Sequence, residues 1–228
     1  MPTSEGRLMV LLNDIVTIDL SETQRVSERI RTMLLSLRAE HDLAPCEYTR
    51  RVRIAPGEIS HSHPVLTLNT MVREESALLS LYLHEQMHWY VTWYSHAHHD
   101  GWKTIWAALL DRYPNVPVVF PEGAHSAQSS YLHLIVNWLE IEATAGFLGR
   151  EKAVEIAAKN FVYSGLYRIV LADWDALATL YGDHGLTPIH PATAMTDHDL
   201  EIAARMDEAT TDALRDEMPA GKDWSAAP

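Results

Sequence analysis

Leu81-Tyr82-Leu83-His84-Glu85-Gln86-Met87-His88-Trp89-Tyr90-Val91 places two histidines four residues apart, with a glutamate directly after the first. On a helix, positions i and i+4 share a face, so both imidazoles can reach one metal ion. Glu85, one step round, lies at the edge of that face, where it can take a proton from a metal-bound water. Ser76–Leu83 leads in and Trp89–Tyr94 leads out, both without Gly or Pro. The resulting helix is apolar nearly all round and should be buried. Polar groups on a buried helix need a partner, and a divalent cation is one. The competing reading is a helix with two satisfied core histidines.

His84-Glu85-Gln86-Met87-His88 resembles the metal helix of the zincin metallopeptidases. The resemblance implies Zn2+ held by His84 and His88, Glu85 as general base, and a third protein ligand downstream. The metzincin pattern would place Gly at 91 and His at 94, where Val91 and Tyr94 stand. Short-spacing gluzincins would place Glu at 107 or 108, where Ala107 and Ala108 stand. The third ligand is therefore expected farther along, and no subfamily pattern is matched.

A second informative stretch runs from Ser130 to Thr144. At about 100° per residue, His133, Asn137, Glu140 and Thr144 fall in one strip about 60° wide, and apolar residues cover the rest. Two buried helices with narrow polar stripes are best explained if the stripes face each other, as in the zincin architecture. Glu140 lies on the stripe and is the expected third ligand. Glu142, about 160° away from the stripe, is the alternative. In a further alternative Glu140 hydrogen-bonds an imidazole from behind and His133 becomes the ligand. Otherwise His133 and Asn137 face the cleft as substrate or oxyanion contacts.

Around these helices, residues 7–18 read as one or two strands with a turn near Asn13-Asp14. Ser21–Gln24 is a capping box opening a helix to about Glu40, with Val26, Ile30, Met33, Leu34 and Leu37 on one face. Thr49–Ala55 alternates like a half-exposed strand, and Pro64–Thr70 is a short strand. The zincin resemblance implies that this second strand lies over the cleft and can pair with extended substrate. His61 and His63 before it read as a polar loop or a cleft-rim pair. Ser95–Gly101 holds His96, His98 and His99, either a second metal site or imidazoles favoured at a helix C-terminus. A helix follows from Asp100 to about Arg112. Prolines at 114, 117 and 121 make the next stretch a rigid loop that could wall the cleft. Gly146 and Gly149 are expected to end the second buried helix, before a short helix over Arg150–Asn160 and a long one over 161–181, kinked at Gly165. Tyr163 and Tyr167, at i and i+4, are candidate oxyanion donors or core aromatics. His190 is a further cleft candidate. Thr196 caps a charged surface helix to about Met218.

The expectation is one α+β, mostly helical domain over residues 1–218, with residues 219–228 a flexible tail. A small N-terminal β-sheet packs on the zincin-like helix and on the second buried helix. A net charge of −13 argues against nucleic acid and anionic membranes as partners. The opening Met1–Arg7 lacks a secretion signal, no apolar run could span a bilayer, and Cys46 stands alone, so a cytoplasmic location is the default. The function expected is zinc-dependent hydrolysis of a peptide or other amide bond, on a small peptide or amide-containing metabolite. The rivals are a lyase, cyclase or non-peptide hydrolase on the same site, and a metal-stabilised binding module. Oligomeric state is not legible.

Overall fold

A computed structural model describes residues 10–12, 16–20 and 24–187. The fold is mostly helical, with one small sheet at its N-terminal end. Strands β1 (Val10–Leu12), β2 (Val16–Leu20), β3 (Arg51–Ile54) and β4 (Leu66–Leu68) lie in that order. β1 and β2 are antiparallel, with Val10 opposite Ile18. β2–β3 and β3–β4 are parallel, in registers Ile18–Val52 and Val52–Leu66. A parallel pair needs a crossover. Helix α1 (Gln24–Glu40) supplies the one between β2 and β3. The alternation read in Thr49–Ala55 is real: Val52 and Ile54 are buried while Arg51 is exposed. The buried face of α1 is Ser27, Ile30, Met33, Leu34 and Leu37. Val26, expected on that face, is exposed instead, because the face is centred one residue on.

β4 is an edge strand, but its outward edge is occupied. The Thr67 N–H donates to His61 O at 2.7 Å, and the His61 N–H donates to Thr67 O at 3.1 Å. The Asn69 N–H donates to Ser60 Oγ at 2.9 Å. Strand addition by substrate at Thr67 would have to displace the His61 segment. The expected pairing of substrate with this strand is therefore corrected.

Helix α2 (Glu75–Ala97) is the spine, packed mainly against α4 (Ala127–Leu148) and also touching α1, α3, α5 and β4. Gln86, between His84 and His88, ties the spine to the segment that leads into β3. Its Oε1 accepts from the Tyr48 and Thr49 N–H groups at 2.8 and 3.0 Å, and its Nε2 donates to Thr49 O at 3.1 Å. Ser126 caps α4 by accepting from the Ser129 N–H at 3.0 Å. The helix runs through Gly146, expected to break it, and stops at Gly149, whose φ of 82° suits glycine.

Three other expectations shift. The histidine-rich loop is a single-residue break at His98 between α2 and α3 (His99–Arg112). The proline-bearing stretch after α3 folds back on itself through Gly123 N–H to Val119 O at 2.8 Å. It packs against Gly165 and contributes nothing to the cleft wall. After α5 (Arg150–Lys159) the expected long helix is two, α6 (Ser164–Ala172) and α7 (Trp174–Asp183). The break falls at Asp173 rather than Gly165, because the Asp173 carboxylate is held by Arg112 and Tyr113 at 3.2 and 2.8 Å. The turn at Asn13-Asp14, most of the capping box, His190, the helix from Thr196 and the tail lie outside the described residues. Among the described residues no helix is long and apolar enough to cross a membrane.

Candidate metal centre

The polar stripes of α2 and α4 meet. His84, His88 and His133 each offer one ring nitrogen, and these atoms lie within 4.8 Å of one another. The ring centroids are 5.0 Å apart for His84–His88, 5.0 Å for His88–His133 and 5.5 Å for His84–His133. Two of the rings come from one helix face at i and i+4, and the third comes from the helix packed across it.

Glu140, expected as the third ligand, stands behind this group. Its carboxylate accepts from His84 Nδ1 at 3.0 Å, from Tyr167 OH at 2.5 Å and from Ser80 Oγ. Among the described residues the group that joins His84 and His88 is therefore His133, the alternative left open by the stripe. Glu142 is half-buried and paired with Arg150 at 3.0 Å, off the site. The Nδ1–H bond to Glu140 leaves Nε2 of His84 as its free nitrogen. Likewise His133 Nδ1 donates to Ser129 O at 2.7 Å, leaving its Nε2. Ser80 was not foreseen. The signal was present, since it sits one turn before His84 on the same face.

Burial and the neighbouring imidazoles set the protonation states. His88 is held well below the usual histidine range by burial, then by His133, His84 and His63. Burial and His84 push His133 down to about 3, against the Ser129 hydrogen bond. Both are neutral near pH 7, the form that ligates metals. Burial alone would lower His84, but the hydrogen bond and charge of Glu140, with Glu85, raise it. Burial pushes the Glu85 carboxyl up to about 7, against the pull of His84 and with the repulsion of Glu140.

Of the candidate tyrosines, Tyr163 faces the histidines, its ring 4.1 Å from that of His133. Its backbone is left-handed, with φ 59° and ψ 30°, a costly conformation for a large residue. Burial and the charge of Glu85 keep its phenol protonated by raising its pKa. The Tyr167 hydroxyl, expected to be equivalent, is committed to Glu140. Asn137, expected to face the cleft in the alternative where His133 is no ligand, is fully buried and lines none of it.

His61 and His63 divide. His61 is on the cleft wall, with Nδ1 on Ile59 O at 2.9 Å. His63 stacks on Trp89 at 4.1 Å, its pKa lowered to about 4 by burial and by His61. His96, His98 and His99 are exposed and form no metal-holding group among the described residues.

The histidines open into a cleft of about 720 Å³. Its walls are the face Ala77, Ser80, Leu81, His84, Glu85 and His88 of α2, and the loops beside β4. Opposite stands α5, through Lys152, Glu155, Ile156 and Lys159. That helix was not foreseen as a wall, although these positions repeat at i, i+3, i+4 and i+7. No protein-family model matches the chain, and no curated protein or solved structure is significantly similar to it.

Proposed function

We propose that His84, His88 and His133 hold a divalent cation and that the protein hydrolyses a peptide or other amide bond. One observation carries this reading. Three imidazoles converge beside the buried carboxyl of Glu85, which lines the same cleft. The donor set fits zinc. Two of the rings are neutral, two have their outer nitrogens engaged, and three protein ligands leave a position for water or substrate. A cation bound there would polarise a carbonyl and acidify water.

The chain's own residues supply the rest. Glu85, with its carboxyl near neutrality, accepts the proton of the attacking water and delivers it to the departing amine. Tyr163 donates to the oxygen on which charge develops. Glu140 fixes the ring of His84 and raises its basicity as a ligand. The resemblance of His84–His88 to zincins supports this reading, and the lone buried Cys46 fits a cytoplasmic location.

The test is digestion of a peptide pool followed by mass spectrometry, with wild type and Glu85→Gln. Wild type should carry about one zinc per chain and cleave. Glu85→Gln should keep the metal and lose turnover by a factor of ~10²–10⁴. A wild type that takes up no divalent cation when zinc is supplied would overturn the reading, as would unchanged turnover in Glu85→Gln.

A further inference from the structure

Exposed large apolar side chains are gathered in one place on this protein. Seven stand out among the described residues, and four of them, Ile59, Met71, Phe161 and Val162, line the cleft. A fifth, Phe120, packs edge-on against Phe161 with centroids 5.9 Å apart. The exposure is not marginal: Ile59 is 87 %, Met71 79 % and Phe161 66 % exposed. Such side chains scattered singly need no explanation, but a cluster around a concave site marks a recognition surface. Ile59 and Met71 come from the loops flanking β4, and Phe161 and Val162 from the connection between α5 and α6. The cleft therefore has two apolar lips from separate parts of the chain. Below them half-buried Ala77 and Leu81 of α2 and Ile156 of α5 continue the apolar lining toward the histidines.

The charges at the mouth point the same way. Lys152 and Lys159 share Glu155, at 3.0 and 2.6 Å, and Glu74 also acts on Lys159, so the charges of both signs are interspersed. Arg73 and Glu74 stand side by side on the opposite wall. The mouth offers no concentrated charge of either sign to an ionic substrate. A volume of about 720 Å³ suits a ligand of several linked groups and exceeds what one small polar amide fills.

We infer that the substrate is a peptide segment whose residues next to the scissile amide carry large apolar side chains. This inference rests on the amide-hydrolase reading and names its substrate class. Of the small peptide and the amide-containing metabolite expected above, it selects a peptide, one that covers the lips.

The experiment separates the lips from the metal. Hydroxamic acids bind such metal centres through one common group, so their remaining parts report on the walls. The zinc-loaded full chain is titrated calorimetrically with acetohydroxamic acid and with the hydroxamate of a Leu-Phe dipeptide. Wild type is compared with a Met71→Ser, Phe161→Ser double variant. Both side chains lie outside the core, and thermal melting checks that the variant folds. The dipeptide hydroxamate should bind wild type ~100-fold tighter than acetohydroxamate, and the variant should lose ~10-fold or more of that advantage.

Equal affinity of the two compounds, or an unchanged ratio in the variant, would overturn the inference and leave the metal reading standing. Failure of both compounds to bind would strike the metal reading itself, and the inference with it. A third arm mixes the protein with phosphatidylcholine vesicles. Sedimentation of wild type but not of the variant, without any dipeptide preference, would assign the lips to a lipid surface and overturn the peptide assignment.

Discussion

Helix α2 buries polar residues on two sides, and the two sides are treated differently. On one side Tyr82 and Gln86 meet the segment at Glu47–Thr49. Tyr82 OH donates to Glu47 Oε1 at 2.9 Å, Arg38 pairs with the same carboxylate, and the Gln86 amide makes three bonds to backbone. On the other side His84, Glu85 and His88 face His133. There Ser80 and the back of His84 meet Glu140, while Glu85 and His88 line the cleft. Leaving a buried polar group unpaired costs about 1–3 kcal/mol, more if it is charged. On the satisfied side protein groups fill the space around the helix, whereas on the open side His84, Glu85 and His88 face a cleft that a ligand could enter. The satisfied side explains structure, and the open side motivates the metal proposal.

The sharpest way to break that contrast is to remove the third ring. His133→Ala should lose the bound cation on dialysis and abolish turnover, while the melting curve of the metal-free protein moves little. Elemental analysis decides; full retention of the ion would mean that His133 is not a ligand.

The next effect is on pH dependence. The carboxyl of Glu85 is pushed up to about 7, so its base form grows as pH rises through that value. A neighbouring cation favours the carboxylate and moves the limb lower. Because the active protein holds its cation, kcat/KM should fall on acidification along a limb that lies below about 7. Glu85→Gln should lack this limb. A limb that persists in the variant would assign it to another group.

Glu140→Gln sharpens the distinction between a ligand and a residue that orients one. Expected is a metal affinity lower by a factor of ~10–100, with the ion still bound at saturating zinc. Loss as complete as in His133→Ala would make Glu140 a ligand after all. Glu142→Ala, on the far side of α4, should change neither.

On the satisfied side, Gln86→Leu strands the Tyr48 and Thr49 N–H groups that Gln86 now accepts. It should destabilise the fold by about 2–4 kcal/mol in urea unfolding, with zinc stoichiometry unchanged. A change in stoichiometry without loss of stability would reverse the roles given to the two sides. The smallest effect concerns Cys46, whose thiol burial and then Asp42 push up to about 12. It should resist alkylation at pH 8 in the native state and react only on unfolding.

Much of this was legible along the chain. The run without Gly or Pro through Leu81–Val91 meant a buried helix, because every face was apolar except one strip. The strip His133–Asn137–Glu140–Thr144 marked a second such helix and the way it faces, and all four side chains are buried. The break at Asp173 was not legible, because it depends on Arg112 and Tyr113, sixty residues away. The blocked edge of β4 was not legible either, because nothing local says that His61 returns to pair with Thr67.

The ligand question divides along the same line. Residue identity and helical period alone determined that His84 and His88 share a face, that Glu85 borders it, and that His133 and Glu140 look the same way from a second helix. They could not say which of those two stands level with the pair. His133 and Glu140 are seven residues apart, two turns and about 10 Å along the helix, so angular phase cannot separate them. Where α4 crosses α2 sets that height. The crossing is fixed by how the apolar side chains of both helices interlock, together with the packing of β4 on α2 and of α5 and α6 on α4. Packing therefore decided that an imidazole faces the pair and that the carboxylate stands behind His84.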